Sequence, residues 1–155
     1  DELTGLYNRR GFLLLAEREL QVARRRRGRS LLLYVDLDYL KLANDRFGHA
    51  AGDGMLVDAA DLLKSLFRTT DVVARIGGDE FVVLASHYST SEEVLTRLDK
   101  ALQTFRQCTG RPLSLSVGTA ESSLQADQSL EQLLTQADAA MYANKCSRRS
   151  LQAVG

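Results

Sequence analysis

Two apolar runs separated by a glycine-rich acidic turn make up residues 72–85, VVARIGGDEFVVLA. Short runs of this kind, rich in valine and bounded by turn residues, are typical of buried strands. The turn contains Gly77 and Gly78, followed by Asp79 and Glu80. We therefore predict a β-hairpin that carries two carboxylates beside its turn.

The spacing of apolar residues predicts helices and strands along the rest of the chain. In chain order they are a helix over residues 9–27 that stops at Gly28, a strand over 31–37, a short helix over 39–47, a longer helix after Gly48, the hairpin, a helix capped by Thr90 with Glu93, a strand over 113–120, a helix from the cap Ser129 with Gln132 to about residue 145, and an edge strand over 151–154. Without the first and last helices, this is the order of the ferredoxin-like βαββαβ core. The predicted class is α+β, with a mostly antiparallel central sheet flanked by helices.

This order brings distant carboxylates together. With a right-handed crossover, the second strand of the hairpin lies between the strand over residues 31–37 and the first strand of the hairpin, and it runs antiparallel to both. Asp36, at the end of the first strand, then meets Asp79 and Glu80 at one edge of the sheet. Crowded carboxylates repel one another, and a divalent cation such as Mg²⁺, held also by a carbonyl such as that of Leu37, keeps them ionised. Because Mg²⁺ usually takes phosphate oxygens as further ligands, the edge indicates a nucleotide polyphosphate as substrate.

The glycines of the turn fit the same interpretation. Gly77 and Gly78 lack a Cβ, so they can adopt positive φ and let a ligand approach the main chain. The alternative is a tight surface hairpin whose acids are merely solvated.

Composition excludes several other classes. The 155 residues, 45% of them hydrophobic, predict one domain with a single sizeable core. Twenty basic residues balance twenty acidic ones, so no overall field favours nucleic acid or an anionic membrane. The arginine run at residues 24–27 lies at a predicted helix end, where cations complement the dipole, and we expect a solvated face there. No apolar run exceeds five residues, which is far short of a membrane span.

Cys108 and Cys146 stand far apart without neighbours at metal-ligand spacing, so we expect no zinc site and a reducing compartment. The chain opens at Asp1 instead of methionine, which leads us to expect a fragment of a longer protein.

Several spaced motifs carry a family resemblance. They are LTGLYNRR at residues 3–10, DLDYLK at 36–41, ND at 44–45, GH at 48–49, GD at 52–53, RIGGDEF at 75–81 and ADAAMY at 137–142. In this order and at these spacings the chain resembles the GGDEF family of diguanylate cyclases. The resemblance implies a nucleotidyl-cyclase-like fold in a single GGDEF domain over residues 1–155, taken from a multidomain signalling protein. It also implies synthesis of cyclic di-GMP and two pyrophosphates from two GTP molecules.

The resemblance assigns the metal site and the catalytic residues. It implies that Asp36, the Leu37 carbonyl, Asp79 and Glu80 bind Mg²⁺, with Mn²⁺ as the alternative ion. Asp79 is the expected acceptor of the proton from the ribose 3′-hydroxyl. Glu80, close to the metals, and Lys41, beside the triphosphate, are the other two catalytic residues that the resemblance implies.

It also assigns the substrate contacts. The cations around the triphosphate are Lys41, Lys145 and Arg149. Asn44 and Asp53 bind guanine, with His49 as a secondary contact. Gly77 and Gly78 lie beside the substrate. A carboxylate accepts hydrogen bonds from the N1 and N2 edge of guanine, which adenine does not offer. The alternative for Asn44 and Asp53 is a helix cap and a solvated acid, and for His49 a structural role.

Arg68 and Asp71 form an Arg-x-x-Asp element ahead of the hairpin turn. The resemblance implies that they form an inhibitory site for the product, through stacking and bidentate contacts of the arginine. The alternative is an ordinary surface ion pair. Four positions depart from the common family pattern: Leu40, Asn144, Arg148 and Ser150. Arg148 replaces a glycine in the loop expected to present Arg149, where it either disturbs that loop or adds a phosphate contact.

The resemblance further implies partners and a location. Catalysis needs a second GGDEF domain in an antiparallel homodimer, because each domain holds one GTP. We expect no nucleic acid partner, no membrane contact by this domain, and a cytoplasmic location, with membrane anchoring left to regions outside it. One alternative is a catalytically silent domain that senses GTP or cyclic di-GMP, and another is a purely structural dimerisation module.

Overall fold

One antiparallel sheet with helices on both faces accounts for the secondary structure of the described residues. This computed structural model describes residues 1–86, 88, 90–122 and 128–153, and for residues 148–153 it describes the backbone alone. The helices are α1 Arg9–Arg25, α2 Leu40–Phe47, α3 His49–Leu66, α4 Ser91–Thr109 and α5 Leu130–Ala153. The strands are β1 Ser30–Leu37, β2 Val72–Arg75, β3 Glu80–Ser86 and β4 Leu115–Glu121.

The strand order in the sheet is β2-β3-β1-β4, and every neighbouring pair is antiparallel. Strand β3, the second strand of the hairpin, thus lies between β1 and β2. This confirms the predicted βαββαβ arrangement. It also confirms the predicted meeting of strand ends, since Asp36 pairs directly with Glu80.

The core has two layers because successive side chains of a strand point to opposite faces. Leu31, Leu33 and Val35 of β1 belong to the cluster beneath α3 and α4, whereas Leu32 belongs to the cluster beneath α1 and α5. By this alternation Asp36 lies on the same face as Leu32. A charged residue therefore occupies a position that would otherwise belong to the apolar core.

Local caps set the starts of two helices. The hydroxyl of Thr90 accepts a hydrogen bond from the Glu93 amide at 3.1 Å. The Ser129 hydroxyl accepts from the Gln132 amide at 3.2 Å, and the Gln132 side chain accepts from the Ser129 amide at 2.9 Å. Both predicted caps are confirmed, the second as a complete capping box.

Two boundaries near helices and strands differ from the prediction. Helix α1 ends at Arg25, two residues before the predicted end at residue 27, and Arg27 has a left-handed backbone with φ of 52°. Strand β4 begins at Leu115, two residues later than predicted. Leu113 extended the apolar run in the sequence because it is buried, at 2% exposure, but it belongs to the segment that leads into the strand.

The predictions for the C-terminal segment were wrong. Helix α5 continues to Ala153 instead of ending near residue 145. Residues 151–153 of the predicted edge strand over 151–154 are therefore helical, and position 154 lies outside the described residues. Residues 145–153 contain neither glycine nor proline, so nothing in the sequence ends the helix there. Arg148 and Arg149 accordingly lie on a helix and not in a loop.

The solvated face predicted for the arginine run agrees with the described structure. Arg24, Arg25, Arg26 and Arg27 are all exposed at the end of α1. Among the described residues, no helix is both long enough and apolar enough to cross a membrane.

Candidate active site at one edge of the sheet

Acidic residues gather where β1 ends and β3 begins. Asp36 pairs in register with Glu80, and the Leu37 amide donates a hydrogen bond to the Asp79 carbonyl at 2.8 Å. The backbone thus brings the three acidic residues to one edge, as the topology predicted. Their side chains do not yet form a metal cage: within the described part of the chain, no three acidic, histidine or cysteine side chains are arranged to hold an ion.

Asp36 is the most buried of these acids, with 7% of its surface exposed. Lys145, from α5, donates to its Oδ1 at 2.5 Å. Burial raises the pKa of Asp36, and the negative charges of Asp79 and Asp38 add to this, while Lys145 acts in the opposite direction. The carboxylate therefore lies in a place where an adjacent cation stabilises its charged form.

Glu80 is positioned by a tyrosine of the neighbouring strand. The Tyr34 hydroxyl donates to Glu80 Oε1 at 2.9 Å. Burial, together with the hydrogen bond to Glu80 and its charge, raises the pKa of the Tyr34 phenol above its ordinary value. Tyr34 thereby fixes one oxygen of the Glu80 carboxylate.

In the hairpin turn, Gly77 leaves no room for a Cβ, whereas a Cβ on Gly78 would meet no atom within 4 Å. Neither Gly77 nor Gly78 uses the positive φ that a glycine permits, whereas Gly5, Gly48 and Gly110 do. A Cβ on Gly77 would lie 2.2 Å from Glu80 Oε2, so any side chain at Gly77 would displace that carboxylate. The Arg75 guanidinium donates to the Gly78 carbonyl at 2.8 Å and fixes the other half of the turn.

The donor set of this edge fits a magnesium ion. Mg²⁺ prefers oxygen ligands and is usually bound by one or two carboxylates, with water and substrate phosphate completing its octahedron. Asp36 and Asp79 are the carboxylates of this edge, and Leu37, which follows Asp36, is joined to Asp79 through its amide. The raised pKa of Asp36 is consistent with this fit, because the site gains from a cation.

A second polar feature lies between α2 and α3. The Asn44 side-chain oxygen is buried and has no hydrogen-bond partner. A Cβ on Gly52 would lie 2.0 Å from this oxygen, so the asparagine fits here only because residue 52 is glycine. A buried unsatisfied carbonyl oxygen is costly, and in a native structure it calls for a donor from outside the chain.

The remaining predicted contacts lie around these two features. Lys41, His49 and Asp53 are exposed, on the first turn of α2, at the start of α3 and next to Gly52 respectively. Gly78 is exposed at the hairpin turn. Arg149 lies on α5, where the side chain is outside the described part.

Arg68 and Asp71 lie apart from this edge, at the opposite end of β3. The Asp71 carboxylate accepts from the amides of Arg68, at 2.9 Å, and Ser86, at 3.1 Å. Asp71 thus closes a turn and ties it to β3. The Arg68 side chain is exposed, and among the described residues it forms no ion pair with Asp71.

Sequence reasoning missed the residues that support the site. Asp38 accepts from the hydroxyls of Ser114, at 2.7 Å, and Ser116, at 2.8 Å, and so joins the turn after β1 to the start of β4. Asn144, one of the departures from the family pattern, donates to the Val117 carbonyl at 2.7 Å. Gly118 permits α5 to lie on β4, since a Cβ there would be 2.1 Å from the Ala137 carbonyl oxygen. These contacts join residues that are far apart in sequence, and only the repeated serines hinted at them.

The fold and site define a βαββαβ domain with an acidic sheet edge beside a lysine and a buried amide oxygen that has no hydrogen-bond partner. Residues 1–151 match the family model described as diguanylate cyclase, GGDEF domain. The chain therefore belongs to the GGDEF family.

Individual relatives agree with this assignment. Diguanylate cyclase DgcS of Shewanella oneidensis is 37% identical over 151 residues, which cover 97% of this chain and 50% of that protein. A solved GGDEF domain of TpbB from Pseudomonas aeruginosa is similar with a TM-score of 0.84 and 35% identity, covering 95% of this chain and 88% of the solved one. A microbial GGDEF domain studied for its interaction with cyclic di-GMP has a TM-score of 0.82 and 34% identity, covering 95% and 92%. The chain spans half or less of the curated relatives it matches.

Proposed function

We propose that this domain is a diguanylate cyclase, which condenses two GTP molecules into cyclic di-GMP and two pyrophosphates in the cytoplasm. One observation carries the proposal: the acidic edge formed by Asp36, Asp79 and Glu80 lies beside Lys145, on a domain that also buries the unpaired oxygen of Asn44. The first feature suits a metal-bound triphosphate, and the second suits a base that offers N–H donors.

The chain's own residues divide the work. Asp36, the Leu37 carbonyl, Asp79 and Glu80 would hold Mg²⁺ or Mn²⁺. When bound, the metal lowers the pKa of the 3′-hydroxyl and stabilises negative charge on the leaving pyrophosphate. Asp79 accepts the proton of that hydroxyl as its oxygen attacks the α-phosphate of the other GTP.

The remaining contacts orient the nucleotide. Lys41, Lys145 and Arg149 neutralise the triphosphate, and their charge matters most as negative charge moves to the departing pyrophosphate. Asn44 and Asp53 bind the guanine edge, with His49 beside them. Gly77 and Gly78 keep the turn free of side chains where substrate approaches, which agrees with the lack of space for a Cβ on Gly77.

Two domains are needed, because each 3′-hydroxyl must reach the α-phosphate held by the other domain. The active species is therefore an antiparallel dimer, and the rate per domain should rise with protein concentration. Production of cyclic di-GMP from GTP and Mg²⁺, followed by chromatography, tests the proposal. Binding of GTP without any product at high protein concentration would instead identify a silent sensor domain.

Guanine specificity provides the first prediction. Asp53→Asn replaces an acceptor of two hydrogen bonds by a group with one acceptor and one donor, so kcat/KM for GTP should fall by about 10- to 100-fold. The preference for GTP over ITP, which lacks the N2 amino group, should fall with it. Steady-state kinetics with both nucleotides measures this, and Asp61→Asn, an exposed acid on the same helix, is the matched control. An unchanged GTP/ITP ratio would remove Asp53 from the guanine site.

Product inhibition is the second prediction. We assign Arg68 and Asp71 to an inhibitory site for cyclic di-GMP, since the Arg68 guanidinium is exposed and Asp71 holds its backbone in place. Arg68→Ala should weaken cyclic di-GMP binding by about tenfold or more in calorimetry, because an arginine contact to guanine or phosphate is a strong charge-assisted one. Binding of GTP should not change, and Arg18→Ala, an exposed arginine on α1, should alter neither. Wild-type affinity of Arg68→Ala for the product would reject this site.

A further inference from the structure

A groove on the side of α2 away from Asn44 is not used by the proposed reaction. Its volume is about 660 Å³, and its walls are α2 and α3 on one side and the end of α4 with the segment between α4 and β4 on the other. Clefts of about 300–1,000 Å³ with mainly apolar walls are the usual sites for small molecules. The groove is therefore large enough and concave enough to hold one.

Apolar side chains form the lining. Leu42 and Phe47 of α2 are 58% and 70% exposed, and both face the groove together with Met55 and the buried Leu113. Large apolar side chains that cluster at a concave surface, instead of being scattered singly, mark a binding site. Burying them against a ligand would remove this apolar surface from water.

The rim of the groove has an excess of positive charge. Arg46, Arg106 and Arg111 line it, together with the acids Asp38 and Asp58. Arg111 pairs with Asp58 at 2.8 Å, and the hydroxyls of Ser114 and Ser116 satisfy Asp38. Within the described part of the chain, neither Arg46 nor Arg106 has an ion-pair partner.

We propose that this groove, between Leu42 and Phe47 of α2 and Leu113, binds an amphipathic organic anion of the fatty-carboxylate class. The apolar chain lies against Leu42, Phe47 and Met55, and the carboxylate faces the guanidinium groups of Arg46 and Arg106. Charge complementarity selects an anion over a neutral lipid or a cation, because two arginines without an ion-pair partner in the described part of the chain flank an apolar floor. The Arg46 guanidinium lies 5.7 Å from the centroid of the Phe47 ring, so its charge is held beside that floor.

Helix α2 couples the groove to the nucleotide. The helix has no buried side chain and is bounded by residues with positive φ, Tyr39 at 65° and Gly48 at 84°. Leu42 and Phe47 contact the groove, whereas Asn44 lies against Gly52 in α3. An anion in the groove fixes α2 and thereby changes the affinity of the domain for GTP. This coupling rests on the proposed function, whereas binding of the anion does not.

Calorimetry with decanoate and with decan-1-ol, its uncharged counterpart, tests the binding. Decanoate should bind about tenfold more tightly than decan-1-ol. Arg106→Glu should weaken decanoate binding by about tenfold or more and leave decan-1-ol within about twofold. Lys100→Glu, an exposed charge reversal on the same helix and outside the groove, is the matched control.

Gly54→Phe fills the groove from within. Gly54 lines it, and a Cβ there meets no atom within 4 Å, so the variant should fold while losing both ligands. Thermal unfolding shows whether Gly54→Phe is folded. If it is not folded, the result for Arg106→Glu decides the test. Equal binding of the two ligands, wild-type binding by Arg106→Glu, or wild-type binding by folded Gly54→Phe overturns the proposal. Failure of decanoate to bind the wild type also overturns the proposal. If, in that case, Phe47→Asp alters the self-association of the protein, the groove holds a second copy of the chain instead.

Coupling is measured separately. Saturating decanoate should change the Kd of a non-hydrolysable GTP analogue by about fivefold or more in wild type and not in Gly54→Phe. An unchanged Kd overturns the coupling alone. Absence of any GTP binding would count against the proposed function, and the decanoate result would still decide the groove.

Discussion

Asp79→Ala is expected to lower the rate of cyclic di-GMP formation by about a thousandfold or more. The variant loses both a proposed metal ligand and the acceptor of the 3′-hydroxyl proton, and loss of a general base alone typically lowers rates by about 10²- to 10⁴-fold. Chromatographic assay of product from GTP and Mg²⁺, at high protein concentration, measures the effect.

The fold should survive this change, because Asp79 contributes its main chain to the sheet edge through the hydrogen bond from Leu37. Binding of GTP should persist, since Asn44 and Asp53 lie on other elements. Asp79→Asn keeps the shape without the charge and should be similarly inactive, whereas Asp61→Ala, a distant exposed acid, should retain wild-type activity. Product formation by Asp79→Ala at the wild-type rate would show that the catalytic assignment is wrong.

Local patterns in the sequence were sufficient to predict the sheet. The hairpin and the first strand follow from short apolar runs, and the handedness of the crossover then places β3 between β1 and β2. Asp36 and Glu80 could therefore be placed together, although 44 positions separate them, because pairing in a hairpin and a crossover leaves few registers.

The C-terminal boundary could not be predicted in the same way. Leu151 and Val154 are apolar residues at the end of a polar segment, and alternation over so few positions does not distinguish a strand from a helix. The helix continues because no glycine or proline interrupts it and because its apolar face already lies on the sheet through residues such as Leu133 and Ala137.

The supporting contacts of the site were hidden for another reason. In the sequence, Asp38 is one more acid beside Asp36, yet in the structure its carboxylate accepts hydrogen bonds from Ser114, just before β4, and from Ser116 in β4. Tyr34 likewise resembles any half-buried strand residue until β3 brings Glu80 to its hydroxyl. Pairs of this kind depend on side-chain packing across strands, which no local pattern encodes.

Gly118 decides whether α5 can reach the site. A Cβ at this position would be 2.1 Å from both the Ala137 carbonyl oxygen and the Met141 amide nitrogen, and both are backbone atoms that cannot rotate away. Gly118→Val should therefore push α5 from β4 and destabilise the fold by about 2 kcal/mol or more, as overpacking of a close contact does. Thermal or urea unfolding measures the loss, which corresponds to a decrease in Tm of about 4–8 °C for a domain of this size.

The same substitution should remove activity, because Lys145 is one helical turn beyond Met141 and its 2.5 Å contact with Asp36 depends on the position of α5. Strand propensity alone predicts the opposite effect on stability, since valine is favoured in strands and glycine weakens them. Thr119→Val is the matched control, as it places valine at the next position of β4, away from α5, and should leave stability nearly unchanged. If Gly118→Val proved as stable as wild type, close approach of α5 to β4 would not be what brings Lys145 to Asp36.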